Sequence, residues 1–554
     1  MVNVKNLFGM AVMATALVGC SSNDNLAPDG NGGNKDGAAY ASFTINLPTT
    51  RATRATDGEP SFAEGDAKEY EVKNGTILIF DMDGKYVTSA QLGNMNPWKD
   101  IKTDGVTTAA TATVQLSGVT VGGSYQALVL LNNDVDDAPS KVTLPTSGES
   151  YADWSANAEN ANATYTNTDY IFMANAPKYT GTSTEPTTLV PVANICASRE
   201  QAEAQAATTV YVERGLAKVT MQKFNADGYS IAAGTYEGGK VEITAWQLDV
   251  TNKSTFPVHQ TDGLMTAWDQ IWNTGRFFDA TSSMFQRVYW GKDPNYSGGA
   301  LQDLAACKDA FNMITNDKVV GEAGIENPQY CLENTFDLAN MMQGQTTRVV
   351  FKAVFTPKDF VTGQTFYKIG NTTAIWDATK LAQQIKTVAF KAMKITTADE
   401  QAKYSVDLSK GSNISGVAGL HKITADNITF TGEGESKVKP DVVDAINEKL
   451  GLKEAGISTY LNGEAYYIAR IKHFNELTPW TAGTPYNGDN NAFLGRYGVL
   501  RNNWYDLSVN SISGLGYPDV PEVKPEMPDD ENEQYINVEV KILDWAKRSQ
   551  SIDL

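Results

Sequence analysis

The sequence predicts an all-β protein with small helical insertions, built as sandwiches of short strands, and three observations predict it. Apolar residues alternate with polar ones in many short segments, the period of a strand with one buried face. Turn pairs such as Asp83-Gly84 and Asn132-Asn133 punctuate those segments at short intervals. Forty-six glycines with abundant Thr, Asn, Val and Tyr favour pleated structure with many turns. At 554 residues the chain has room for two or three full cores.

The chain opens with Lys5 and an apolar run from Leu7 to Val18, too short to span a bilayer. Leu17-Val18-Gly19-Cys20 then reads as a lipobox, with Cys20 as the residue to be acylated, so residues 1–20 are expected to be an export signal. Residues 21–54 follow as a tether and first strand. The tether is rich in Gly, Asn and Asp and has nothing to bury. In the strand, Phe43, Ile45 and Leu47 alternate with Ser42, Thr44 and Asn46, and Pro48 ends it because proline cannot donate to a ladder. Arg51 and Arg54 come next among small residues, an exposed target for a trypsin-like protease.

Residues 55–225 are expected to be a first sandwich. Its strands include Thr76 to Phe80, Ala110 to Leu116, Ala127 to Leu131, Tyr170 to Met173 and one long strand from Thr209 to Gln222. Asp81-Met82-Asp83-Gly84 opens like a calcium loop but lacks the later oxygens, so it reads as a hairpin turn. Residues 226–515 form the expected second sandwich, with strands at Lys240 to Val250, Thr347 to Phe355, Tyr466 to His473 and Tyr505 to Ile512. Helical spacing appears from Gly263 to Ile314, from Asp377 to Met393 and from Pro440 to Leu450.

Residues 516–554 close the chain. Pro518, Pro521, Pro525 and Pro528 recur among acidic side chains, a composition that favours extended polyproline geometry. At ~3.1 Å per residue such a leash reaches on the order of 60 Å; the alternative is a segment laid back along its own domain. After it, Ile536, Val538, Val540 and Ile542 fall on one face of a strand, with Trp545 beyond. One strand before a cleavable arginine pair and a second at the C-terminus suggest that the second replaces the first in a neighbouring molecule.

The formal charge of −20 argues against nucleic acid and against charge-driven membrane binding, leaving the lipid as the membrane link. Cys196, Cys307 and Cys331 lie in an exported, oxidising context; Cys307 and Cys331 read either as a bridge or as buried thiols. His259, His421 and His473 are isolated in sequence and no nucleotide or hydrolase motif occurs, so neither catalysis, a metal nor a cofactor is expected. Aromatics in Phe285 to Tyr296 suit sugar stacking or core packing, and packing is the preferred reading.

Several strings stand out in order along the chain: the lipobox, VERGLAKV at Val212 to Val219, WQLDVTNKSTFPV at Trp246 to Val258, YWGKDPNY at Tyr289 to Tyr296 and YCLENTF at Tyr330 to Phe336. They continue with TRVVFKAVF from Thr347, YYIARIKHF at Tyr466 to Phe474, Leu494 to Pro518 and the ending WAKRSQSIDL. Together these strings resemble the fimbrillin family of Bacteroidales, in its Mfa-type branch. The resemblance implies two tandem transthyretin-like β-sandwiches and a structural shaft subunit of the type V pilus, with a role in adhesion. It implies an outer-membrane lipoprotein precursor cut after Arg51 or Arg54 by an arginine-specific or trypsin-like protease. Loss of Phe43, Ile45 and Leu47 with their strand then opens a groove, which the strand carrying Ile536, Val538, Val540, Ile542 and Trp545 of another subunit fills. Partners would be identical subunits head to tail, tip and anchor subunits, and host or bacterial surface ligands. The alternatives are an accessory, tip or anchor subunit, or a monomeric glycan-binding surface lipoprotein.

Overall fold

The computed structural model describes residues 38–48, 65–93, 99–103, 106–134, 141–179, 185–264, 288–296, 301, 303–370, 372–410, 412–413, 420–452, 456–473, 493–529 and 536–544. It is mostly β-sheet, as expected. The N-terminal sheet takes β1 (Ala39–Pro48), β2 (Gly75–Phe80), β3 (Tyr86–Gln91), β4 (Lys99–Thr103), β5 (Val106–Leu116), β6 (Gln126–Leu131), β7 (Met173–Asn175) and β8 (Thr208–Arg214). Their order across the sheet is β3-β2-β6-β7-β8-β1-β5-β4, and Val190–Pro191 also pairs with β6. The sheet curls on itself. Phe43, Ile45 and Leu47 of β1 and Val210 and Val212 of β8 therefore share one core with Ile77 and Ile79 of β2 and Val129 of β6.

Local chemistry accounts for the punctuation. Gly84 turns the β2–β3 hairpin at φ +74°, a left-handed conformation that glycine adopts without steric cost. Asp81 accepts the backbone N–H of Asp83 and of Lys85 through Oδ1, so its carboxylate closes the turn. The long strand expected from Thr209 to Gln222 is two strands. Gly215 divides β8 from β9 (Leu216–Met221) and donates its N–H to the Phe172 carbonyl at 2.8 Å. A Cβ at Gly215 would sit 3.2 Å from the Phe172 ring, a close approach that favours the bare residue. The chain changes sheets at Gly215, upstream of the boundary expected at Asn225.

The second sandwich faces two four-stranded sheets. One holds β9 between β11 (Gly324–Leu332) and β14 (Asn503–Ile512), with β15 (Ile536–Asp544) beyond β14. The other holds β10 (Lys240–Asp249), β12 (Arg348–Thr356) and β13 (Glu464–Arg470), edged by Tyr229–Ser230. Val219 and Leu507 from the first pack on Trp246, Phe351 and Tyr467 from the second. Between β12 and β13 the chain builds a further unit with its own core, larger than the small insertion expected. There α2 (Ala378–Met393) and α3 (Pro440–Lys449), which follow α1 (Arg199–Ala204) in the chain, bury Leu381, Ile385, Val442 and Ile446 against a five-stranded sheet. Leu304–Ala310 is the part of the 263–314 helical region that the described residues show as a helix.

Candidate assembly site

The first strand is an interior strand. β1 pairs antiparallel with β5 from Ala39 opposite Leu116 to Pro48 opposite Val106, and parallel with β8 from Phe43 opposite Thr208 to Asn46 opposite Tyr211. Phe43, Ile45 and Leu47 are 0–1% exposed. The opposite face is covered too, a feature that the alternation of the sequence does not announce. There α1 (Arg199–Ala204) lies over the strand, and Ser42 Oγ donates to the Ala202 carbonyl at 2.9 Å. Ser42 Oγ also lies 2.7 Å from Thr113 Oγ1. Tyr40 and Cys196 exchange backbone hydrogen bonds of 2.8 Å each way, and the Arg199 guanidinium lies over the Tyr40 ring. Residues 195–204 thus clasp the N-terminal half of β1.

The structure places the last strand on its own chain. β15 runs antiparallel to β14, with Val538 opposite Val509 and Ile542 opposite Tyr505, and Val538 is buried in the second core. It is the outermost strand of its sheet, with β14 as its ladder partner. Ile536, Val540 and Ile542 lie on the strand as read from sequence. Cys20, Arg51, Arg54 and Trp545 lie outside the described residues.

The proline-rich leash takes its alternative course: the described part, through Asp529, is bound to its own domain. Tyr517 exchanges backbone hydrogen bonds with Tyr466, and Arg348 Nη2 donates to the Pro521 carbonyl at 2.6 Å. Thr346 Oγ1 donates to Asp529, which is 0% exposed. Specific donors overcome the extended tendency of the composition, with Arg348 on the Pro521 carbonyl and Thr346 on the buried Asp529 carboxylate.

Between the two sandwiches lies a buried polar junction. Lys218 Nζ contacts Glu69 Oε1 at 2.5 Å, Tyr330 donates its hydroxyl to the same carboxylate at 2.6 Å, and Arg214 Nε donates to the Glu69 carbonyl. Burial would raise the Glu69 carboxyl, but the Lys218 ammonium and the Tyr330 hydroxyl outweigh it and hold it below the usual range. Next to this, His259 Nδ1 lies 2.6 Å from Glu213 and Arg501 Nε donates to Glu333 at 3.0 Å. These side chains come from distant stretches, so sequence spacing carried no sign of them. Asp293 is buried as well, and burial lifts its carboxyl to about 7.

The remaining candidates resolve as packing. His473 Nδ1 meets the Tyr505 hydroxyl at 2.8 Å inside the core. Trp290 and Tyr296 of the aromatic string are buried with Phe336, Leu494 and Tyr497. Cys307 and Cys331 are separate buried thiols, which decides between the two readings of that pair. Among the described residues no cluster of metal-ligating side chains occurs, and no helix is long and apolar enough to cross a membrane.

Residues 458–551, which include β13, β14, the leash and β15, match the family model described as major fimbrial subunit protein type IV, fimbrillin, C-terminal. The chain resembles a fimbrillin. No curated protein sequence matches it. Among solved structures similar to this fimbrillin-like chain is a candidate cell adhesion protein of Parabacteroides distasonis. It is 10% identical at a TM-score of 0.39, covering 93% of this chain and 99% of that one. A fimbrial assembly protein of the same organism is 14% identical at a TM-score of 0.27, covering 61% and 92%. The tip fimbrial protein Mfa3 of Porphyromonas gingivalis, with a C-terminal truncation, is 10% identical at a TM-score of 0.28, covering 91% and 100%.

Proposed function

We propose that this chain is the shaft subunit of a cell-surface pilus, polymerised by exchange of one strand for another. The supporting observation is the position of β1. It is an interior strand with both faces covered, and Arg51 and Arg54 follow it directly in sequence. Removing an interior strand unpairs two ladders and exposes core, which makes a groove that only another strand restores. β15 is the matching donor, an edge strand at the C-terminal end of the chain.

The precursor is exported, acylated at Cys20, carried to the outer membrane and cut after Arg51 or Arg54 by a trypsin-like or arginine-specific protease. The β15 strand of one subunit, anchored by Ile536, Val538, Val540, Ile542 and Trp545, then enters the groove of the next. The contact is head to tail and does not close, so it propagates as a filament. Tip and anchor subunits would complete the fibre, with host or bacterial surfaces as its targets. The pairing of β15 with β14 of its own chain favours a second reading, an accessory subunit whose last strand stays at home.

Low-dose trypsin on the purified precursor lacking residues 1–20 tests the proposal. The expected result is a new N-terminus at Ala52 or Ala55 together with a ladder of multimers on unboiled gels. Cleavage without a ladder selects the accessory subunit or a monomeric glycan binder, and an uncut loop removes the proteolytic gate.

A further inference from the structure

The clasp over β1 carries a consequence for the incoming strand. The segment Tyr40-Ala41-Ser42-Phe43-Thr44-Ile45-Asn46-Leu47 and the segment Tyr535-Ile536-Asn537-Val538-Glu539-Val540-Lys541-Ile542 share one pattern. Each opens on tyrosine, places a small neutral polar residue third, and puts apolar residues at every second position from the second onward. The resemblance in pattern is strongest where β1 is most confined. Ser42 is 6% exposed, and its hydroxyl donates to the Ala202 carbonyl beneath α1. Thr44, two residues on, is half-buried, and its hydroxyl lies 3.0 Å from Thr111 Oγ1 at the surface.

We infer that residues 195–204 select the register of the donor strand, and that Asn537 of a second copy takes the place of Ser42 beneath α1. This rests on the strand-exchange reading above. The chemistry of the site distinguishes the candidates. A side chain at position 42 must donate to the Ala202 carbonyl and must be compact. Asparagine does both through its amide NH2. A two-residue slip one way brings Glu539 there, a carboxylate that cannot donate and would be buried against a carbonyl oxygen. The opposite slip brings Tyr535 into a space filled by a serine hydroxymethyl. A slip of one residue turns the apolar face away from the core. Reversing the strand puts Lys541 there, a long side chain with a buried charge. In the selected register Val538, Val540 and Ile542 replace Phe43, Ile45 and Leu47. Glu539 then falls at half-buried position 44, and Lys541 falls at position 46, which Asn46 occupies at 8% exposed, two residues from the end of β1 and beyond the half that residues 195–204 clasp.

Backbone register gives the test. Ser42 lies opposite Thr113 and Thr44 opposite Thr111 on β5. The processed full chain lacking residues 1–20, with Cys196→Ser to remove the nearby thiol, is prepared with Thr113→Cys plus Asn537→Cys. The expected result is a ladder that survives boiling and denaturant and collapses on reduction. The pairs Thr113→Cys with Glu539→Cys, Thr111→Cys with Asn537→Cys, and Thr113→Cys with Lys541→Cys report the two slips and the reversed strand. A reducible ladder from any of these in place of the first pair, or from none, overturns the register while the unboiled polymer of the parent protein upholds strand exchange. A parent protein that forms no polymer after cleavage overturns both.

Discussion

Replacing Phe43 by alanine should speed assembly of the cleaved protein, not slow it. Phe43, Ile45 and Leu47 are each 0–1% exposed, and burying such side chains contributes ~1.5–3 kcal/mol apiece. Together they hold β1 with roughly 5–9 kcal/mol before ladder hydrogen bonds are considered, a large share of the ~5–15 kcal/mol that keeps a domain folded. A nick after Arg51 or Arg54 removes none of these contacts. The strand should therefore stay in place in the nicked monomer until a donor displaces it.

Phe43→Ala deletes the largest of the three contacts at a cost of about 3–5 kcal/mol. At 1.4 kcal/mol per tenfold, strand release should quicken by roughly two to three and a half orders of magnitude. The assay follows nicked wild-type and nicked Phe43→Ala protein by gel filtration. The released N-terminal peptide is quantified by mass spectrometry, while melting of the uncut precursors verifies that both start folded. Equal release rates would refute the reasoning, and so would spontaneous loss of the wild-type peptide within minutes at dilutions that prevent polymer formation. Either outcome would mean that β1 is not held by its buried face.

Three further results should follow from the buried groups. The carboxyl of Asp293 is raised by burial to about 7, so the folded state binds its proton more tightly than the unfolded state. Its cost to stability is absent below about pH 4 and complete above about pH 7, so urea midpoints should rise on acidification from pH 8 to pH 5. Asp293→Asn should flatten that slope. The carboxyl of Glu69 is held down, so its contribution is present above its unfolded value and lost as pH falls through the folded one. Acid unfolding below about pH 4 should include this loss, and Glu69→Gln should weaken the junction by roughly 3–5 kcal/mol at neutral pH. As for the thiols, burial pushes Cys307 to about 11 and Cys331 to about 12. In the precursor lacking residues 1–20, an aromatic disulfide reagent should modify Cys196 alone until urea is added. A reductant-dependent change in gel mobility would show a bridge instead.

Local rules were legible in the sequence where short-range chemistry decides. The alternation of Phe43, Ile45 and Leu47, the stop at Pro48, the Asp83-Gly84 turn and the helical spacing in α2 and α3 all depend on near neighbours. What escaped depends on partners far along the chain. Local pattern says nothing of the partners of Arg214, Lys218, Glu213 and Glu69, yet all four are buried at the junction, with Lys218 on the Glu69 carboxylate. Across Glu213-Arg214-Gly215 the core-facing apolar positions pass from even (Val210, Val212) to odd (Ala217, Val219, Met221), a break in alternation that marks the passage between two sheets and that a single continuous strand overlooks. The leash misled because its composition reports an intrinsic preference for extension, whereas Arg348 and Thr346 supply donors, and Gln343 an acceptor for the Lys524 N–H, only after the sandwich has formed. The period of β15 was legible, but which sheet receives it was not, since period two fits any half-buried position.

In the proposed assembly, the unequal hold on the two terminal strands sets the order of events. β1 has a ladder on each side and cover on each face, whereas β15 sits at a sheet edge beside β14. Peeling an edge strand breaks one ladder, so β15 opens at lower cost than β1 in the same molecule. An uncut precursor whose β15 is open still offers no groove, because its β1 remains tethered and rebinds faster than a donor from solution can compete. Cleavage changes only that tether. It converts displacement of β1 from a contest against a high effective concentration into an exchange between two strands of similar pattern. In the proposed assembly, proteolysis therefore acts as a kinetic gate on a strand whose contacts it leaves intact.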